Sequence, residues 1–88
     1  LGVCFDIGHA NTTGQTDEMI STFRDRIVNV HVHDNMGDND THMTVGDGTV
    51  DFPKTMESLS WYKGLYIIES KSLASAAESK RRLSILLE

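Results

Sequence analysis

Residues 28–48 read VNVHVHDNMGDNDTHMTVGDG, and the first six of them decide the fold. Val28, Val30 and Val32 alternate strictly with Asn29, His31 and His33. A period of two belongs to a β-strand whose faces differ in kind. The valine face requires cover. The amide and imidazole face runs straight into an acidic, glycine-containing loop that holds Asp34, Asp38, Asp40, His42 and Asp47. Such a strand delivers ligands to a site.

Working outward, Leu1–Phe5 is an apolar run closed by Asp6-Ile7-Gly8-His9, which predicts a buried strand ending in a loop that continues through Ala10–Gln15. Thr16 is placed to cap a helix, with Asp17 and Glu18 in its first turn and Met19, Ile20 and Phe23 on one face. Arg24 and Arg26 suit its C-terminal end, and the strand Ile27–His33 follows. Beyond the acidic loop, Asp51 and Pro53 start a second helix with the stripe Phe52, Met56, Leu59 and Tyr62, stopped by a left-handed Gly64. Leu65–Ile68 is a third strand, closed by Glu69. A last helix starts at Ser72 or Ser75, the latter forming a capping box with Glu78. Its expected buried side is Leu73, Ala76, Ala77, Lys80, Leu83 and Leu87, with a basic outer surface at Lys80–Arg82.

The order is βαβαβα, an α/β pattern that implies parallel pairing through right-handed crossovers. Strands of an open parallel sheet are apolar on both faces because helices cover both. Asn29 and His31 under a helix would each cost about 1–3 kcal/mol if left unpaired. In a (β/α)8 TIM barrel only the outward face meets helices, and the inward face turns polar toward the active-site end. The alternation therefore favours a section of barrel over a complete doubly wound sheet. Three units do not close a barrel, so residues 1–88 are expected to form a single partial domain of a longer protein. The remaining barrel then comes from that protein or from a second copy, because both outer strands are unpaired edges. The apolar LGVCFD start and the SILLE end inside a helical pattern fit the same expectation.

Composition narrows the function. A net charge of −5 lacks the basic stripe of a nucleic-acid clamp, so a nucleic-acid partner is not expected. No run is apolar and long enough for a membrane span. The single Cys4 permits no intrachain disulfide and fits a reducing cytoplasm.

All three strands finish in groups able to bind metal: Asp6 and His9 after the first, His31 to Asp34 after the second, and Glu69 after the third. Function in an α/β barrel sits at these ends. Carboxylate with neutral imidazole suits Mn2+, Co2+, Zn2+ or Fe2+ better than Ca2+. Of the two inward histidines, His31 lies deeper in the strand and is the expected ligand, with His33 contacting substrate or supporting the site. The loop is not an EF-hand: counted from Asp34, positions 3, 6 and 12 are Met36, Asn39 and Val45. Gly46-Asp47-Gly48 is no phosphate fingerprint either, since Asp47 repels an anion. Asp40 and His42, one residue apart, are candidates for a second metal or for closing the loop.

Taken together, Cys4-Phe5-Asp6-x-x-His9, His31-Val32-His33-Asp34-Asn35, Asp40-x-His42-x-x-x-Gly46-x-Gly48-x-x-Asp51-Phe52 and Ile67-Ile68-Glu69 resemble the xylose-isomerase-like TIM-barrel superfamily. That superfamily includes sugar (phosphate) isomerases and epimerases and endonuclease-IV-type apurinic endonucleases. The resemblance covers almost the whole chain and corresponds to the last three βα units of the barrel. It implies a divalent metal cofactor (Mn2+, Zn2+, Co2+ or Mg2+) held by Asp6, His31 and Glu69, with a further glutamate from an earlier strand. It implies a sugar substrate contacted by His9, with His33 and Asp34 the neighbouring candidates for that contact, and Glu69, or the missing glutamate opposite it, as the catalytic group that moves a proton next to the carbonyl. In the nuclease branch His9, Asp40 and His42 would hold a second metal. The sequence departs from that branch, with His-Asp-Asn in place of its Asn-Asp-Ser-Lys run and Thr41 in place of an arginine, and this favours the isomerase and epimerase side. An inactive, self-associating barrel fragment is the third expectation.

Overall fold

The computed structural model describes residues 2–87. Leu1, the first residue of the expected first strand, lies outside the described residues. Strands β1 (Val3–Asp6), β2 (Ile27–Val32) and β3 (Tyr66–Ile68) form one parallel sheet in the order β1-β2-β3. Helices α1 (Ile7–Thr13), α2 (Thr16–Phe23), α3 (Phe52–Ser58) and α4 (Leu73–Leu86) connect and follow them, with a short 3-10 turn at Arg24–Arg26 before β2. The alternation of strands with helical connections and the parallel pairing are those the sequence predicts, with α1 as one helix more than expected.

The core lies between one face of the sheet and the helices. Phe5, Ile27, Val30 and Val32 meet Ile7, Ala10, Ile20, Phe52, Met56, Leu59, Tyr62 and Leu83, all buried. Each of the buried Val, Ile, Leu, Phe and Met side chains contributes roughly 1.5–3 kcal/mol of burial. The expected α3 stripe is fully present. Asp51 caps α3 by accepting from the Lys54 N–H, with Pro53 in the first turn as predicted.

Val28 departs from the alternation. Val3 pairs with Ile27 and Cys4 with Asn29, so Val28 is the extra residue of a β-bulge. Its side chain fills the space where Gly2 would carry a Cβ, and Val28 stays 64% exposed while Ile27 takes the buried position. The bulge leaves Val30 and Val32 on the core face and Asn29 and His31 on the other. β2 also ends at Val32, one residue short of His33.

Other differences have local causes. The expected loop over Ala10–Gln15 is mostly helical, because Asp6 is both the last residue of β1 and the N-cap of α1, and Gly14 closes α1 at φ 70°. Thr16 is the first residue of α2, not its cap, and Gln15 at the cap makes no side-chain bond. Gly64 is not left-handed: α3 ends at Ser58, and a Cβ on Gly64 would strike the Tyr62 ring, which folds back to donate its hydroxyl to Leu65 O at 2.6 Å. Ser72 caps α4 by accepting from the Ser75 N–H. The buried side of α4 is Ser79 and Leu83, whereas Leu73 and Leu87 are exposed. Among the described residues, no helix is long and apolar enough to cross a membrane.

Candidate metal centre

The sheet register sets the site. Asp6 and His31 are paired across β1 and β2, and Glu69 leaves β3 with its N–H donated to Val32 O at 2.9 Å. Three consecutive strand ends thus bring a carboxylate, an imidazole and a second carboxylate together, with one ligand atom from each lying within 4.8 Å of the others. His31 Nδ1 is 3.1 Å from Glu69 Oε1. Below them on the same face, Asn29 Oδ1 is buried without a partner among the described residues. Burial alone would raise the Asp6 carboxyl, but hydrogen bonds from His33 and from the His9 N–H hold its pKa at about 2. Asp6 is therefore ionised at any ordinary pH. Two carboxylates and one imidazole are a donor set that fits a divalent transition metal. Asp6, His31 and Glu69 are the three residues the resemblance implies as ligands, and the structure brings them together.

His33 is wholly buried and joins this cluster to a second one. Its Nε2 donates to Asp6 Oδ1 at 2.8 Å and lies 3.3 Å from Asp40 Oδ1. Burial opposes the imidazolium, but the hydrogen bond and charge of Asp6, with Asp40 and Glu69 beside it, raise the His33 pKa above its ordinary value. The ring fits because residue 8 is glycine; a Cβ there would run into it. Its Nδ1 remains buried with no partner among the described residues. His42 stacks on His33 with ring centroids 4.2 Å apart, and its Nε2 is 3.8 Å from Asp40 Oδ2. His42 adopts φ 54°, a left-handed conformation that costs a non-glycine residue of order 1–3 kcal/mol. His33, Asp40 and His42 form a second group with ligand atoms within 4.8 Å.

The sequence expectation places His9 with Asp40 and His42; the structure puts His33 there instead. Asp6 caps α1 through the His9 N–H, and the His9 side chain is exposed on that helix. From the sequence His33 is an inward histidine expected to contact substrate or support the site, with nothing to place it beside Asp40. The signal for its position is Gly8, since a glycine behind Asp6-Ile7 leaves room for a ring from the neighbouring strand.

The acidic loop is fastened at both sides. Asp34 is buried and its carboxylate accepts the N–H groups of Asn35, Gly46, Gly48 and Val50. The expectation of a substrate contact there meets a side chain whose oxygens point into the loop. Asn35, also buried, donates to Gly8 O at 2.7 Å and accepts from Asn11 at 2.7 Å. On the far side Ser79 Oγ accepts from the Val45 N–H, and Arg82 binds Val45 O and Asp47 at 2.7 and 2.8 Å. This polar seam explains why α4 buries Ser79, which the expected buried side omits, and leaves Lys80 exposed.

The fold and site together define a parallel α/β unit with groups able to hold a metal ion at its strand ends. Residues 1–86 match the family described as xylose isomerase-like TIM barrel. The chain belongs to that family, and its sheet is a section of barrel wall. It is 40% identical over its whole length to the uncharacterized protein MJ1311 of Methanocaldococcus jannaschii, of which it covers 32%. It is 29% identical over 78% of its length to the uncharacterized protein MJ1614 of the same organism, covering 27%. A solved structure titled as a D-tagatose 3-epimerase-like protein superposes with a TM-score of 0.94 at 39% identity, over 99% of this chain and 34% of that one. The chain thus spans about a third of the length of these relatives.

Proposed function

We propose that this chain supplies the metal-binding wall of a divalent-metal-dependent sugar or sugar-phosphate isomerase or epimerase. The convergence of Asp6, His31 and Glu69 from three strand ends is the observation that carries this reading. The epimerase-like title of the solved neighbour supports the same class. A divalent ion (Mn2+, Zn2+, Co2+ or Mg2+) held by these residues would supply Lewis-acid polarisation of the substrate carbonyl. The chain's own groups divide the remaining work. Asp6 keeps a fixed negative charge on the site, and His33 orients it through Nε2. Glu69 takes and returns the proton on the carbon next to the carbonyl. His9, exposed beside the strand ends, is the substrate contact in this reading, while Asp34 serves the loop. Residues 1–88 are then the last three βα units of a barrel, a single partial domain working in the cytoplasm. The edges of β1 and β3 and the exposed Val28, Leu65 and Ile67 support pairing with the rest of such a barrel or with a second copy.

A second reading, an endonuclease-IV-type phosphodiesterase, draws support from His33, Asp40 and His42, which offer a further donor set beside the first. The net charge of −5 favours the sugar over a nucleic acid. Metal analysis of the intact protein separates the two. One equivalent of metal with aldose–ketose or epimer interconversion supports the isomerase, and two or three metals with cleavage of an abasic duplex replace it.

A further inference from the structure

Asp34 stands outside both groups of candidate metal ligands. It is a fully buried carboxylate, and its charge is met by backbone amides: Asn35 and Val50 N–H on Oδ1 at 2.8 and 3.0 Å, Gly46 and Gly48 N–H on Oδ2 at 3.0 and 2.9 Å. Its own backbone bridges Met43 in both directions, at 3.0 and 2.7 Å. The excursion 35–42 therefore leaves and returns at one residue, and the following residues 46–50 are gathered by that same side chain. Gly48 is glycine because a Cβ there would collide with the Asn35 carbonyl and with Asp34 itself. At the returning end stands His42, held in its left-handed conformation against the His33 ring.

We propose that Asp34 is a positioning residue that clasps the loop so that Asp40 and His42 close on His33, beside the cluster of Asp6, His31 and Glu69. Nothing in the loop other than this carboxylate collects four N–H donors, and an acceptor of this kind fixes direction as well as proximity. The consequence for turnover rests on the isomerase reading; the consequence for geometry does not.

The test is Asp34→Asn in the intact protein, which keeps size and turns one pair of acceptor contacts into donor facing donor. The stacking of His42 on His33 is followed by NMR at fixed pH, Mn2+ affinity by calorimetry, and turnover of the sugar by kcat and KM. The expected result is separation of the two rings and a fall in kcat of roughly tenfold or more. The His31 ring signals and the Mn2+ affinity stay within about twofold of wild type. Gly48→Ala, which disturbs the clasp without touching its charge, gives the same pattern and stands in if the first variant does not fold. Rings that stay stacked overturn the proposal. So does loss of Mn2+ affinity or of folding in both variants, which makes Asp34 a general determinant of the fold. If the wild type turns over no sugar while the rings separate in the variants, the isomerase reading is removed and the clasp stands.

Discussion

His33 donates to Asp6 across 2.8 Å, from a buried ring to a carboxylate at the end of the neighbouring strand. This bond couples the two clusters. It also constrains the sequence behind Asp6, because the ring occupies the space over Gly8.

Gly8→Ala therefore places a methyl group in the His33 ring. Overpacking of this kind costs about 1–3 kcal/mol. The unfolding midpoint in urea is expected to fall accordingly, and the His33–Asp6 hydrogen bond to disappear from NMR spectra. An unchanged midpoint with the bond intact contradicts the packing described.

Leu59 is 0% exposed at the centre of the helix-side core. Leu59→Ala removes its burial and leaves a cavity, at a cost of about 2–5 kcal/mol. Equilibrium denaturation checks the value. A loss below about 1 kcal/mol means that the core closes around another side chain.

The seam between α4 and the loop carries a pH dependence. Hydrogen bonds from Arg81 and then Arg82 hold the Glu78 carboxyl at about 2. The folded value lies below the unfolded one, so the stabilisation is complete above the ordinary glutamate pKa and is lost as pH falls through about 2. Glu78→Gln is expected to be less stable than wild type at pH 7, with the difference shrinking as pH drops below about 4. Thermal melts at several pH values measure it. A difference that grows in acid contradicts the assignment. Because these groups lie on the surface, the effect is small and weakens with salt.

Much of the fold and site is legible in the sequence because period-two alternation and strand-end chemistry are local signals. Val30 and Val32 against Asn29 and His31 mark the two faces of β2, and Asp6, His31 and Glu69 mark the useful end of the sheet. Val28 breaks the pattern because a bulge is a property of pairing with β1, which the β2 sequence alone does not encode. The run over Ala10–Thr13 resembles a loop because asparagine and threonines are poor helix formers; the cap at Asp6 and the stop at Gly14 outweigh them. The buried face of α4 is hidden from the sequence because Ser79 and Arg82 answer to loop amides and carbonyls far away along the chain. His33 replaces His9 beside Asp40 for a related reason: the strand pairing and Gly8, both long-range, direct its ring.

Asp6, His31 and Glu69 are expected to act as one metal site. The most direct test is Mn2+ or Co2+ titration of the intact protein against Glu69→Gln by calorimetry, with the fold checked by circular dichroism. Wild type is expected to bind with one strong site, and the folded Glu69→Gln variant at least tenfold more weakly, about 1.4 kcal/mol or more. A folded Glu69→Gln variant that binds the metal with wild-type affinity and stoichiometry shows that Glu69 is not a ligand and that the three residues do not form one site.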